Sequence, residues 1–226
     1  MLEHLVNLFF PKVCAACKGI LNTNENTICT GCRHELPVTN HFTDFENDAY
    51  KMFYGRIDVH FVASLLYFQK HSLVQEIIYS LKYRGNQQVG RTLGLWAASY
   101  LHDISTIQKF DFLVSVPLHP RKMRSRGYNQ VFQFGEAISE TLDIPFEPKL
   151  LKRNVYTKSQ TKKNLIKRNE LKTNVFEAVF ENHHHEKHFV ILDDVLTTGS
   201  TIEACAKALQ KIPGAKISVV CMAFTH

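Results

Sequence analysis

Residues 190–201 read VILDDVLTTGST. An apolar run ends in two adjacent carboxylates, Asp193 and Asp194, and a turn of hydroxyls around one glycine follows. FVILDDV (189–195) has the length and apolar density of a buried strand, and STIEACAKALQKI (200–212) repeats its apolar residues at helical spacing up to Pro213-Gly214. A strand, a short loop and a helix in this order place the loop at a carboxyl edge of a sheet, where α/β proteins bind ligands. The free backbone N–H groups and positive dipole end of a helix starting near Ser200 form a cradle for phosphate. Gly199 allows close anion approach, and Thr197, Thr198, Ser200 and Thr201 add hydroxyl donors. Two carboxylates would repel a phosphate placed directly on them. They suit the hydroxyls of a ribose, or a Mg²⁺ shared with it, so the ligand implied is a ribose bearing a 5-phosphate. A Walker loop needs a Gly-Lys-Ser/Thr ending, which this turn lacks. An ordinary N-capped helix would explain Ser200 but not the acid pair.

Working outward, strands alternate with helices. HFVASLLYF (60–68) and FDFLVSV (110–116) read as strands, and KISVVCMAF (216–224) as the last one. SLVQEIIYSLKY (72–83), with Ser72 as N-cap and Gly85 past its end, reads as a helix, as do 90–104 and 129–143. This alternation predicts a parallel, doubly wound α/β sheet. The polar stretch 37–56 reads as a linker, and 117–128 as a loop. Trp96, Tyr67, Phe68, Tyr79 and Tyr83 fall on apolar faces and read as core. Tyr128 either stacks on a base or ribose or packs beneath its loop. His183, His184, His185 and His188 read as an exposed loop that binds metals only adventitiously.

The cysteines are unevenly placed. Cys14, Cys17, Cys29 and Cys32 form C-A-A-C and C-T-G-C separated by 11 residues, while Cys205 and Cys221 sit in apolar surroundings and read as buried. Two CxxC knuckles can converge on one tetrahedral, closed and therefore structural Zn²⁺. Disulfides need an oxidising compartment, and a redox CxxC usually comes singly. Zinc affinities of roughly 10–16 kcal/mol imply that such a module unfolds without metal. The expected division is a four-cysteine module at 1–45 and an α/β domain at 46–226.

The chain has 226 residues, a net charge of +6 and no run of eighteen apolar residues that would span a membrane. MLEHLVNLFFPKVC lacks a basic head and a small-residue cleavage site, so the expected location is cytoplasmic. The charge is concentrated: 149–172 holds nine Lys or Arg against Glu170 alone, and RKMRSR (121–126) holds four more. A solvated face is the plain reading of such runs; a polyanionic partner or phosphorylated substrate is the other. Arg121, Arg124 and Arg126 could neutralise a pyrophosphate by forked donation, with Gly127 letting the backbone come close. Residues 152–172 read as a basic lid in which Arg153, Thr157, Gln160 and Arg168 are candidates for ligand contact.

VILDDVLTTGST resembles the signature of the type I phosphoribosyltransferases, which bind 5-phosphoribosyl 1-pyrophosphate. The resemblance implies that Asp193 and Asp194 engage the ribose hydroxyls and that residues 197–201 hold the 5-phosphate. Together with LKYRG (81–85), VPLHPRKMRSRGYNQ (116–130), RNVYTKSQ (153–160) and the four cysteines, the chain resembles the competence protein F (ComF) family of DNA-uptake proteins. It also resembles the amidophosphoribosyltransferases around the lid, but lacks their glutaminase domain and the cysteine that domain needs after Met1. The resemblance implies a type I phosphoribosyltransferase fold, a mostly parallel twisted sheet flanked by helices, preceded by a zinc-ribbon-like module. It implies binding of phosphoribosyl pyrophosphate with Mg²⁺ and of single-stranded DNA, with a helicase of the uptake machinery as a further partner. The alternative is an active phosphoribosyltransferase, displacing pyrophosphate at C1 of the ribose, with an acceptor the sequence does not identify.

Overall fold

The computed structural model describes residues 11–154 and 175–225. In chain order the elements are α1 (Thr30–Glu35), α2 (Asp48–Lys51), β1 (Phe61–Phe68), α3 (Leu73–Tyr83), α4 (Gln88–Ile107), β2 (Phe112–Ser115), α5 (Pro120–Arg126) and α6 (Phe132–Leu142). There follow β3 (Leu151–Arg153), β4 (Phe176–Ala178), a 3₁₀ turn (Asn182–His184), β5 (His188–Leu196), α7 (Ser200–Leu209) and β6 (Lys216–Thr225). β1, β6, β5 and β2 lie side by side in that order, and every pairing is parallel. The two central strands, β5 and β6, are apolar along almost their whole length because both of their faces are covered. β3 and β4 form a separate antiparallel pair.

Each face of the sheet has its own core. Val190 and Leu192 of β5 pack toward α3, α4 and α6 with Leu81, Leu93 and Ile138. Phe189 and Ile191 point the other way, toward α7 and the β3–β4 pair, with Cys205, Leu209 and Phe176. This is the two-residue side-chain alternation of a strand. α4 and α6 approach closely at Gly94, where a Cβ would lie 2.5 Å from the carbonyl oxygen of Phe134.

The connections locate a switch point. From β2 the chain leaves through α6 on one face and returns beside β2 at Phe146, which bridges Leu113 in parallel on the side away from β5. From β5 it moves in the opposite sense, through α7 on the other face, to β6. The carboxyl ends of β2 and β5 therefore flank the crevice where such sheets bind ligands. Ser115 is level with Leu192, so the segment from Val116 leaves the sheet beside Asp193.

Three expectations are corrected. The stretch 37–56 is no linker: Val38 bridges Leu66, Tyr67 N–H donates to Pro37 O at 2.8 Å, and Phe42, Ala49 and Phe53 are buried. Its polar residues are spent on local bonds. Asn47 caps α2 and donates through Nδ2 to Val62 O at 2.9 Å, so the segment covers the edge of β1. The loop 117–128 contains α5, which starts at Pro120, is capped by His119 and ends on Gly127 at φ +78°. Tyr79 and Tyr83 are exposed rather than core, because α3 buries Val74, Ile77, Ile78 and Leu81 instead.

Candidate functional site

The phosphate loop is shaped from below. Gly199 sits at the N-cap of α7 with φ +71°, and a Cβ there would come within 2.8 Å of Phe53 Cε1. Both constraints select glycine. No side chain among the described residues caps α7, and Thr198 Oγ1 and Ser200 Oγ lie 2.7 Å apart at the rim. Arg56 holds the loop from outside: its Nη1 donates to Thr198 O at 3.0 Å, and its Nε and Nη2 donate to Glu203 Oε2 at 3.0 and 2.6 Å. Nothing in the sequence pointed to Arg56 or Phe53, because both belong to the stretch that reads as a linker.

Asp193 and Asp194 have separate surroundings. Asp194 turns toward α3, where Lys82 Nζ donates to its Oδ1 at 2.8 Å, and Gln130 Nε2 donates to its Oδ2. Asp193 lines the recess formed by residues 195–202 and accepts the Asp194 N–H at 2.8 Å. Burial and the Asp194 charge push its carboxyl up, to about 7, against the opposing pull of the Asp194 amide, Lys82 and Lys122. Lys82, the lysine of LKYRG, is thus part of the site.

The basic candidates divide as well. Arg121 and Arg124 stand exposed on α5, whereas Arg126 folds back, its Nη1 donating to Gln130 Oε1 at 2.8 Å and its guanidinium lying 5.3 Å from the centre of the Tyr83 ring. Arg126, Gln130, Asp194 and Lys82 form one chain of contacts. Tyr128 packs under this loop, its hydroxyl donating to Leu81 O. Arg153 ends β3 with its guanidinium 5.3 Å from the Phe176 ring. Burial pushes the Cys205 and Cys221 thiols well up, with the Asp193 charge adding to it at both and Arg153 opposing it at Cys205. Thr157, Gln160 and Arg168 lie outside the described residues.

At the N-terminal end, one sulfur from each of Cys14, Cys17, Cys29 and Cys32 lies within 4.8 Å of the others. Cys17 Sγ and Cys29 Sγ are 3.8 Å apart. Zn–S bonds of about 2.3 Å in a tetrahedron require an edge of about 3.8 Å. Backbone N–H groups of Cys29, Gly19 and Cys32 point at the sulfurs of Cys14, Cys17 and Cys29 at 3.3–3.5 Å, which suits thiolates. The donor set fits a structural zinc. Lys18 is turned to Ala15 O and Glu76, and Arg33 lies over Trp96.

The histidine run is only in part the exposed loop expected: His183 is exposed and His185 half-buried. His184 is buried in the 3₁₀ turn; its Nδ1 accepts the Glu181 N–H at 3.0 Å and its Nε2 faces Glu147 Oε2 at 2.9 Å. An Nδ1 that accepts leaves the proton on Nε2, which then donates to Glu147. His184 is therefore a clamp between segments. His188 is buried too, and burial with the nearby His60 holds its imidazole down at about 4.

No family model matches the chain. Competence protein F of Haemophilus influenzae is 26% identical to it over 230 residues, which cover 93% of this chain and 96% of the relative. The DNA utilization protein YhgH of Escherichia coli K12 is 33% identical over 154 residues, 66% of each chain. The chain belongs to the competence protein F family. In this ComF-family chain a parallel sheet flanked by helices carries the acidic strand–loop–helix at its carboxyl edge, with a cysteine cluster that fits a zinc module. Among solved structures, the glutamine phosphoribosylpyrophosphate amidotransferase from B. subtilis has a TM-score of 0.42 at 18% identity, covering 59% of this chain and 26% of that one. An adenine phosphoribosyltransferase has a TM-score of 0.41 at 14% identity, covering 68% and 75%. No helix among the described residues is long and apolar enough to cross a membrane.

Proposed function

We propose that this ComF-family chain binds a 5-phosphoribosyl ligand, 5-phosphoribosyl 1-pyrophosphate with Mg²⁺, in the crevice between β2 and β5, and binds single-stranded DNA on its basic surface in the service of DNA uptake. The observation that carries the ligand half is the uncapped start of α7, shaped by Gly199 over Phe53, with Asp193 in the same recess. The amides of residues 200–202 would hold the 5-phosphate. Asp193 would take the ribose hydroxyls, and as a hard oxygen donor it suits Mg²⁺. Asp194 acts one step back, positioned by Lys82 and Gln130. Mg²⁺ would neutralise the pyrophosphate charge together with Arg121 and Arg124. The DNA half rests on the relatives' names and on the basic runs 121–126 and 149–172.

Transfer of the phosphoribosyl group is a second reading, favoured by the complete loop and by Asp193 lining its recess. The ribose C1–O bond to pyrophosphate would break through an oxocarbenium-like state as an acceptor attacks C1, and the chain would hold the groups in line and stabilise the departing charge.

Calorimetry with 5-phosphoribosyl 1-pyrophosphate and Mg²⁺ tests the ligand half: binding is expected in the wild type and lost in Asp193→Asn, and an inert wild type ends the reading. Fluorescence anisotropy with single-stranded DNA at low salt tests the other half. Affinity should fall steeply as salt rises, and no detectable binding at low salt would reject it.

A further inference from the structure

Helix α3 carries, besides its buried face, an aromatic stripe that the core does not use. Its buried face is aliphatic, while Tyr79 and Tyr83, one turn apart, are 44% and 64% exposed. Their ring centres are 4.9 Å apart at an angle of 41°. Each ring has its own guanidinium: Arg84 lies 5.2 Å from the Tyr79 centre and Arg126 lies 5.3 Å from the Tyr83 centre. This ridge walls a groove of about 420 Å³. The floor is apolar, with Phe68, Ile78 and Val195, and the polar positions include Lys70, Lys82 and Thr197. Thr197 also begins the phosphate loop and Lys82 also holds Asp194, so the groove opens directly beside the crevice.

An apolar, aromatic groove bordered by cations fits a ligand with flat faces and regularly spaced negative charge. A protein helix would bring apolar side chains but no regular array of negative charge for guanidiniums whose present partners are only Glu76, 3.9 Å from Arg84, and the neutral amide of Gln130, 2.8 Å from Arg126. Duplex DNA has the charge but keeps its base faces stacked internally. A single strand has both features: every base offers a π-face, and Arg adds cation–π attraction. We propose that the Tyr79–Tyr83 ridge and its groove form a stacking platform for unpaired bases of single-stranded DNA, with Arg84, Arg126 and Lys70 meeting the phosphodiesters. This rests on the DNA half of the function proposed above. Because the platform and the phosphate loop share Thr197, bound DNA and a phosphoribosyl ligand should compete or couple.

The test is an anisotropy titration of the zinc-loaded full chain with a labelled oligothymidylate, over a range of salt. Tyr79→Ala and Tyr83→Ala should each bind roughly 5- to 100-fold more weakly. The log–log salt slope should stay at the wild-type value, because no phosphate contact is removed. Tyr79→Phe and Tyr83→Phe should bind as the wild type does, and Arg84→Ala should lower the slope by roughly 0.7. An oligomer of abasic deoxyribose phosphates should not distinguish the alanine variants from wild type. Both tyrosines are exposed, so unchanged melting curves will show that the variants are folded. If wild type fails to bind the oligothymidylate, the DNA half of the proposed function falls and the platform with it. If wild type binds and both alanine variants bind equally well, the platform alone is overturned. If free thymidylate displaces the oligomer at equal nucleotide concentration, the groove is a mononucleotide site and the platform is likewise rejected.

Discussion

Asp193 and Asp194 are neighbours in sequence with opposite surroundings, and the difference is measurable. Asp194 lies between Lys82 and Gln130, while Asp193 has its own chain's amide and the recess. A carboxyl raised to about 7 in the folded chain, against 3.8 for an unperturbed aspartate, favours folding below pH 4 and loses that contribution as pH rises through 7. Relative to wild type, Asp193→Asn should therefore be more stable above pH 7, by about 1–2 kcal/mol without ligand, and no more stable near pH 4. Asp193 is half-buried and keeps an edge at the recess, which weakens the penalty on its charge. Melting curves across this range check it; a gain that grows toward acid pH would refute the assignment. Lys82→Met should cost about 3 kcal/mol in urea unfolding, since it strands a carboxylate that is only 9% exposed. Asp194→Asn in the same chain should recover a large part of the loss. The acids and hydroxyls were legible in the sequence because they are contiguous. Lys82, Gln130 and Arg56 were not read as site residues, because their partners lie 112, 64 and 147 residues away.

At the scale of elements, periodicity identified every strand of the main sheet and the longer helices, because each buries one apolar face or two. It could not find α5, whose residues include none that is buried. Nor could it find α2, which has four residues and takes its place from Asn47 and Phe53 rather than from a repeat. That short segment matters to the site, since Phe53 lies where a side chain at position 199 would go. Gly199→Ala should cost roughly 1–3 kcal/mol, from the left-handed backbone and the contact with Phe53 together. It should also abolish 5-phosphoribosyl 1-pyrophosphate binding by calorimetry. Phe53→Ala combined with Gly199→Ala relieves the contact but not the backbone cost, so ligand binding should not return fully. Complete recovery in the double variant would show that the contact, and not the φ angle, selects glycine.

At the scale of the molecule, the cysteine centre is continuous with the α/β core. Cys14, Ala15, Cys32 and Leu36 belong to the same buried cluster as Leu93 of α4, Ile138 of α6 and Leu66 of β1. Phe42 stacks on Tyr100 of α4 at 5.2 Å, and Val38 pairs with the edge of β1. The sequence showed the spacing of the thiols but not this continuity, which depends on apolar residues scattered between polar ones. Zinc is therefore expected to act beyond its own knuckles. Mass spectrometry of the native chain should find one zinc. Its removal should leave four thiolates or thiols crowded within 4.8 Å with nothing to hold them together. Calorimetry should then show one unfolding transition in the loaded chain, shifted to lower temperature as a whole after chelation. Cys17→Ser, at the most exposed of the four ligands, should reproduce the shift without chelator. A second transition that stays in place while the first disappears would mean that the α/β core stands without the cysteine centre, and that the shared cluster does not couple them.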